Sequence, residues 1–129
     1  PMNHPGYKHR FQLVQNFLAV TAACLAVRKK IFDKVGGFNE KDLKVAFNDV
    51  DLCLKIAEKG YRNLWTPHAV LIHHESASRG KDTVPDKIER FKKEISYMKK
   101  RWKQRLKHDP SFNKNFNKDR EDFSLVVKR

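Results

Sequence analysis

Phe47-Asn48-Asp49-Val50-Asp51-Leu52-Cys53-Leu54-Lys55 sets two carboxylates at the threshold of an apolar, helix-competent run. A short oxygen-bearing side chain such as Asn48 or Asp49 suits a helix N-cap, where it accepts an orphan backbone N–H. Acidic residues in a first turn also complement the helix dipole. Leu52, Ile56 and Ala57 then share one stripe and Gly60 supplies a stop, so a helix is predicted to run to about Lys59. Asp49 and Asp51 therefore carry two readings, as carboxylates that only stabilise a helix start or as carboxylates that do chemistry beside a cleft.

Moving outward toward the N-terminus, residues 28–35 have Ile31 and Val35 at helical spacing and end at Gly36-Gly37, which predicts a short helix and a sharp bend before Phe38. Residues 17–27 are almost continuously apolar and read as a strand buried on both faces, with four alanines blurring the pattern. Residues 1–16 read as an irregular start, with His4 and His9 in solvent.

Toward the C-terminus, 61–65 alternates like a short strand, Thr66-Pro67 breaks it, and 69–72 resumes as an apolar strand. That strand would deliver His73-His74-Glu75-Ser76 to its end, before a loop holding Ser78, Arg79 and Lys81, and such loops are where sites are built. Neighbouring residues on a strand face opposite ways, so only one of His73 and His74 can aim at a given metal; packing at a sheet edge is the other reading. Arg79 and Lys81 beside Gly80 either hold a phosphate or are solvated. Residues 83–108 form the strongest helical pattern: Pro85 suits the first turn, and Ile88, Phe91, Ile95, Met98, Trp102 and Leu106 make one apolar stripe expected to be core. Residues 109–129 are a polar, Asn/Lys-rich tail that Phe112, Phe116 and Phe123 would tack back onto the body.

With 129 residues the chain makes at most one domain with a modest core. Lys and Arg number 28 against 15 Asp and Glu, a formal charge of +13 that points to an anionic partner. Twelve of those cations and only four of the carboxylates lie between Arg79 and Lys107. Cys24 and Cys53 sit in apolar runs without metal-ligand spacing, so both are expected to be buried, reduced thiols in a cytosolic chain. No run reaches the roughly 18 apolar residues of a membrane span and no secretory leader opens the sequence. The chain does not begin with Met, and a piece of a longer protein is expected.

Six blocks in order carry a resemblance: Val20-Thr21-Ala22-Ala23-Cys24-Leu25-Ala26-Val27-Arg28, Val35-Gly36-Gly37-Phe38-Asn39-Glu40, Asn48-Asp49-Val50-Asp51-Leu52-Cys53, Gly60-Tyr61, Thr66-Pro67 and His73-His74-Glu75-Ser76-Ala77-Ser78-Arg79-Gly80. Together, over about residues 17–102, they resemble the second half of an inverting, GT-A-fold, family 2 glycosyltransferase of the rhamnosyltransferase and O-antigen type. The resemblance implies an α/β fold in which 17–82 is the C-terminal, acceptor-side half of a nucleotide-diphospho-sugar transferase, followed by a long basic amphipathic helix over 83–108. It assigns the general base to Asp49 with Asp51 in support, acceptor contacts to Gly37, Phe38 and Asn48, the donor diphosphate to Ser76, Ser78 and Arg79, and a metal contact to His73 or His74. It implies a divalent cofactor, Mn or Mg, held mainly by a preceding half, and a nucleotide-sugar donor with a saccharide or lipid-linked acceptor. Asn48 departs from the family, which usually has Glu there. The fragment alone is expected to be inactive, and the whole enzyme to work in the cytoplasm, peripherally on the inner face of the membrane.

Two other classes stay open on the residues themselves. A nucleic-acid module would use the basic face of 79–107, although its aromatics lie on the apolar stripe instead of among the charges. A docking domain without catalysis would set the same face against anionic lipid, leaving Asp49 a helix cap.

Overall fold

The structure, a computed structural model, describes residues 5–72, 85–120 and 122–126. It is a small mixed arrangement of helices and strands, consistent with an α/β domain. Strand β1 (Gln15–Phe17) pairs antiparallel with β2 (Asn63–Trp65), setting Gln15 opposite Trp65 and Phe17 opposite Asn63. Among the described residues there are also three α-helices, α1 (Lys29–Lys34), α2 (Asn48–Glu58) and α3 (Pro85–Trp102), and 3-10 turns at Tyr7–Gln12, Ala22–Cys24 and Arg105–Lys107.

The glycine signals act as the spacing predicts. Helix α1 ends where Gly36 and Gly37 take φ of 79° and 59°, and the Gly37 N–H returns to the Phe32 carbonyl at 2.9 Å. Helix α2 ends at Gly60, with φ of 80°, and the Tyr61 N–H closes back onto the Ile56 carbonyl.

The predicted strand over 17–27 is corrected. Only its first residue belongs to β1; beyond a half-buried stretch to Val20, Thr21 opens an exposed 3-10 turn at Ala22–Cys24 by accepting the Ala23 N–H. A strand buried on both faces needs neighbours on each side, whereas β1 pairs only with β2 among the described residues. Cys24 is consequently exposed, contrary to expectation, while Cys53 is buried. The strand expected at 69–72 is also absent, and Val70, Leu71 and Ile72 are exposed.

The core lies between α2 and α3. Leu43, Leu54, Met98 and Trp102 are buried together, with Leu18, Phe47, Val50 and Tyr97 packed around them. Helix α3 therefore buries only part of its stripe: Met98 and Trp102 are inside, Ile88 and Phe91 stand half out. The helix stops at Trp102, short of the predicted 108, and a 3-10 turn at Arg105–Lys107 follows with Leu106 exposed. Beyond Trp102 an apolar side chain finds no core, so continuing the helix gains no burial.

The tail meets the irregular start through aromatic rings. Tyr7 stacks on Phe123 at 4.7 Å, Phe116 sits edge-on to both, and Arg10 lies over Phe123 at 4.9 Å. His9 is exposed, as expected.

Candidate functional site around Asp49

The segment before α2 fixes where Asp49 stands. Asn39 and Asp42 make a side-chain-closed turn, the Leu43 N–H reaches the Asn39 carbonyl, and Leu43 is buried. Phe47 then adopts a left-handed conformation, φ 63°, and stacks on Phe91 of α3 at 5.5 Å. Phe47 is the N-cap residue, and its own side chain makes no capping hydrogen bond. The capping role predicted for Asn48 or Asp49 is thereby corrected: a phenylalanine held in place by ring packing turns the chain into the helix.

Asp49 is half-buried and looks outward from the helix to another segment. One carboxylate oxygen accepts the Ala22 N–H at 3.1 Å and the other accepts the Val50 N–H at 2.8 Å. One turn on, Cys53 faces the same segment: its sulfur accepts the Val20 N–H at 3.5 Å and its S–H donates to the Val20 carbonyl at 3.7 Å. The match has a simple origin. Residues 20 and 22 are two apart on nearly extended chain and present their backbone the same way, and residues 49 and 53 are four apart on a helix face. Asn63 extends the seam, donating to the carbonyls of Leu18 and Cys53 at 3.0 Å each. Burial pushes the Cys53 thiol above its ordinary range, and the charge of Asp49 pushes it the same way.

Asp51 points inward. It is 1% exposed, accepts the Trp102 indole N–H at 2.8 Å on Oδ1, and places Oδ2 2.9 Å from Lys55 Nζ. Lys55 also donates to the Gly37 carbonyl at 2.6 Å, so the glycine turn, α2 and α3 meet on one charged pair. Gly37 is buried against Phe32, while Phe38 is exposed and sits edge-on to Phe32 at 5.4 Å. Asn48 donates its amide to the Leu43 carbonyl, and its Oδ1 is buried without a hydrogen-bond partner among the described residues.

The candidate residues thus divide. Asp51 and Gly37 are joined through Lys55; among the described residues, no hydrogen bond or ion pair links Asp49 to Asp51, Gly37 or Phe38. His73, His74, Ser76, Ser78 and Arg79 lie outside the described residues. Among the described residues no group of three His, Cys, Asp or Glu side chains can hold a metal ion, and Asp49 and Asp51 are committed in different directions, so these residues do not fit a divalent-metal site. No helix among them is long and apolar enough to cross a membrane.

Among the described residues, clefts flank the core. One, of about 410 Å³, runs between 41–44 and α3 and is lined by Lys41, Lys44, Arg90 and Tyr97 among others. Burial raises the Tyr97 hydroxyl, and the nearby charge of Asp51 adds to this. Another, of about 440 Å³, is lined by Val20, Val27, Ile31, Ile56 and Tyr61 among others. Asp49 lines neither.

Glu94 of α3 was not singled out by sequence reading. It is 1% exposed, and its two oxygens accept the Val45 and Ala46 N–H groups at 3.0 and 3.1 Å. A signal was present: Glu94 falls three residues after Phe91 and four before Met98, on the buried side of the helix.

Comparison with known proteins gives partial matches. The chain is 54% identical over all 129 residues to the uncharacterized protein y4gI of Sinorhizobium fredii. It is 43% identical over 72 residues to the O-antigen biosynthesis protein RfbC of Myxococcus xanthus. It is 35% identical over 63 residues to an N-acetylglucosaminyl-diphospho-decaprenol L-rhamnosyltransferase of Mycobacterium tuberculosis. The chain spans only 14%, 6% and 20% of the lengths of these three relatives, and the last two matches cover 56% and 49% of the chain. No family model and no solved structure matches.

Proposed function

We propose that this chain is the acceptor-side part of an inverting GT-A glycosyltransferase, in which Asp49 is the general base. The observation that carries the reading is the similarity over about half the chain to proteins named for O-antigen biosynthesis and for rhamnosyl transfer. The placement of Asp49 supports its role. Its carboxylate is half-exposed at a helix start, and two backbone N–H groups fix its orientation while leaving lone pairs on both oxygens.

In the proposed reaction the acceptor hydroxyl oxygen attacks the anomeric carbon of a nucleotide sugar. The bond from that carbon to the diphosphate oxygen breaks, the nucleoside diphosphate leaves with the electron pair, and the hydroxyl proton passes to Asp49. Asp51 supports indirectly, as an inward anchor of the same helix. A Mn or Mg ion on the donor diphosphate belongs to the proposal, with its ligands outside the described residues, as does a saccharide or lipid-linked acceptor. His73, His74, Ser76, Ser78 and Arg79 keep their proposed donor-side roles.

A specific feature favours a surface role alongside catalysis. Lys92, Lys99, Lys100 and Lys103 of α3 and its extension are exposed and have no carboxylate in ion-pair range among the described residues. Trp102 is buried, Tyr97 is half-buried and Phe91 is stacked on Phe47, so none stands as a free platform among these cations, which suits an anionic membrane face better than stacked bases.

The test is nucleoside diphosphate release by the full-length polypeptide across a panel of nucleotide sugars, with Mn or Mg, comparing wild type with Asp49→Asn. One donor turned over by wild type, and a loss of about 10²- to 10⁴-fold in the variant, supports the reading. Unchanged turnover in the variant makes Asp49 a structural carboxylate and overturns it.

A further inference from the structure

We infer that Glu94 is a positioning residue for the proposed transfer, an inference that rests on the Asp49 reading. Glu94 is a carboxylate buried to 1% exposure on α3, far from Asp49 in sequence. Its two oxygens take the N–H groups of Val45 and Ala46, consecutive residues of the segment that leads into α2. Arg90 Nε lies 3.8 Å from one of those oxygens, one turn back on the same helix.

A buried carboxylate is costly unless charge-assisted hydrogen bonds offset its desolvation. Replacement by an apolar residue would retain packing but orphan two backbone donors. Two N–H groups on one carboxylate also fix the direction of the segment, as a single bond does not. The next residue, Phe47, holds the uncommon left-handed conformation that starts α2, and its ring stacks on Phe91, three residues before Glu94 on the same helix. Asn48 returns an amide to Leu43. The first turn of α2 is therefore set by Phe91 and Glu94 of α3, and Asp49 is the second residue of that turn. Trp102, two turns further along α3, grips Asp51 and fixes the helix from below.

This arrangement separates orientation from contact. Glu94 reaches neither Asp49 nor Ala22; it fixes the backbone from which Asp49 projects. Misplacing a catalytic group by about 1 Å costs on the order of 10²-fold in rate. Loosening the segment should therefore lower kcat while leaving acceptor binding close to its original value.

The test uses the full-length polypeptide as wild type, Glu94→Gln, Glu94→Asp and Asp49→Asn. Glutamine keeps one acceptor but turns an NH₂ toward the second backbone donor; aspartate keeps both oxygens on a shorter arm. Amide exchange at Val45 and Ala46 is expected to rise about ten-fold or more in Glu94→Gln, with the amides of Leu52 and Leu54 still protected. Its kcat for sugar transfer is expected to fall about ten- to a hundred-fold with acceptor KM within about two-fold. Glu94→Asp is expected to show smaller changes in the same order, and it decides the matter if Glu94→Gln does not fold. Unchanged exchange at Val45 and Ala46, or raised exchange with unchanged kcat, overturns the inference. Normal transfer by Asp49→Asn sinks the Asp49 reading instead, and the exchange measurement still reports separately whether Glu94 holds the segment.

Discussion

The Trp102 indole N–H donates to Asp51 Oδ1 across 2.8 Å, joining two side chains that are each 1% exposed and 51 residues apart. This bond connects α2 to α3 in the middle of the core. Trp102→Phe keeps most of the apolar contact but leaves that oxygen of a buried carboxylate unpaired, an expected loss of about 1–3 kcal/mol. Asp51→Leu strands the indole and Lys55 together. The double variant Asp51→Leu/Trp102→Phe removes both partners and should be less destabilised than the sum of the singles. Denaturant unfolding of the four proteins measures the coupling, and strictly additive losses would show that the bond contributes nothing of its own.

Cys53 and Tyr97 define an alkaline limit. Both are held above their ordinary values of 9.0 and 10.0, chiefly by burial, with carboxylate charge adding in each case. The folded state therefore keeps these protons where the unfolded chain releases them. Their stabilising contribution is complete below about pH 9 and is lost as pH rises through the folded-state values. Unfolding midpoints across pH 7 to about 11 should decline above pH 9, and less steeply in Cys53→Ala. At pH 8 alkylation should label the exposed Cys24 rapidly and Cys53 slowly. Equal labelling of the two would contradict the buried seam along Val20.

What could be read from the sequence was punctuation and the shortest-range helical pattern. Gly36-Gly37, Gly60 and Pro85 stop and start helices where they stand in the sequence, because a positive φ or a missing N–H acts on one residue at a time. Residues 17–27 misled because alanines and Thr21 suit several states, and only the presence of strand neighbours decides among them. Phe47 as a left-handed N-cap was illegible: it depends on Phe91 and Glu94, more than forty residues away, and local propensity points to Asn48 or Asp49. The ion pair of Lys55 with Asp51, four residues earlier, and its inward turn to Gly37 and Trp102 were not read from the sequence, because the spacing permits a pair on any helix face and only the packing of α3 and the glycine turn makes it a buried one.

Gly36 and Gly37 separate conformational cost from steric cost. Both have positive φ, but a Cβ on Gly36 meets open space, whereas one on Gly37 falls 2.8 Å from the Phe32 ring. Gly36→Ala should cost about 1 kcal/mol, the penalty of a left-handed conformation for an L-residue. Gly37→Ala carries the same penalty and must also displace Phe32, which itself packs on Phe38. It is expected to cost about 2–3 kcal/mol and to disturb the Gly37 carbonyl that receives Lys55. Thermal unfolding distinguishes the two, and equal losses would mean that Phe32 moves aside freely.

The cations of α3 give a prediction that salt can decide. Lys92, Lys99 and Lys103 fall at seven- and four-residue steps, so they share one face of the helix and its extension, and all three are exposed. By contrast Lys93 is occupied by Glu89 at 2.7 Å and Arg101 by Glu58 at 3.0 Å. Near an anionic bilayer each free cation contributes about 1 kcal/mol, an attraction that fades within a Debye length of about 8 Å at physiological ionic strength. Vesicles containing phosphatidylglycerol should therefore bind the full-length polypeptide more tightly than neutral vesicles, with binding falling steeply as salt rises. Changing the three lysines to glutamine should weaken binding by about 3 kcal/mol, roughly a hundred-fold, while Lys93→Gln has a smaller effect. Equally tight binding to neutral and anionic vesicles would point to exposed Phe91 and Ile88 instead of charge, and retention of full anionic binding in the triple variant would remove this face from the membrane reading.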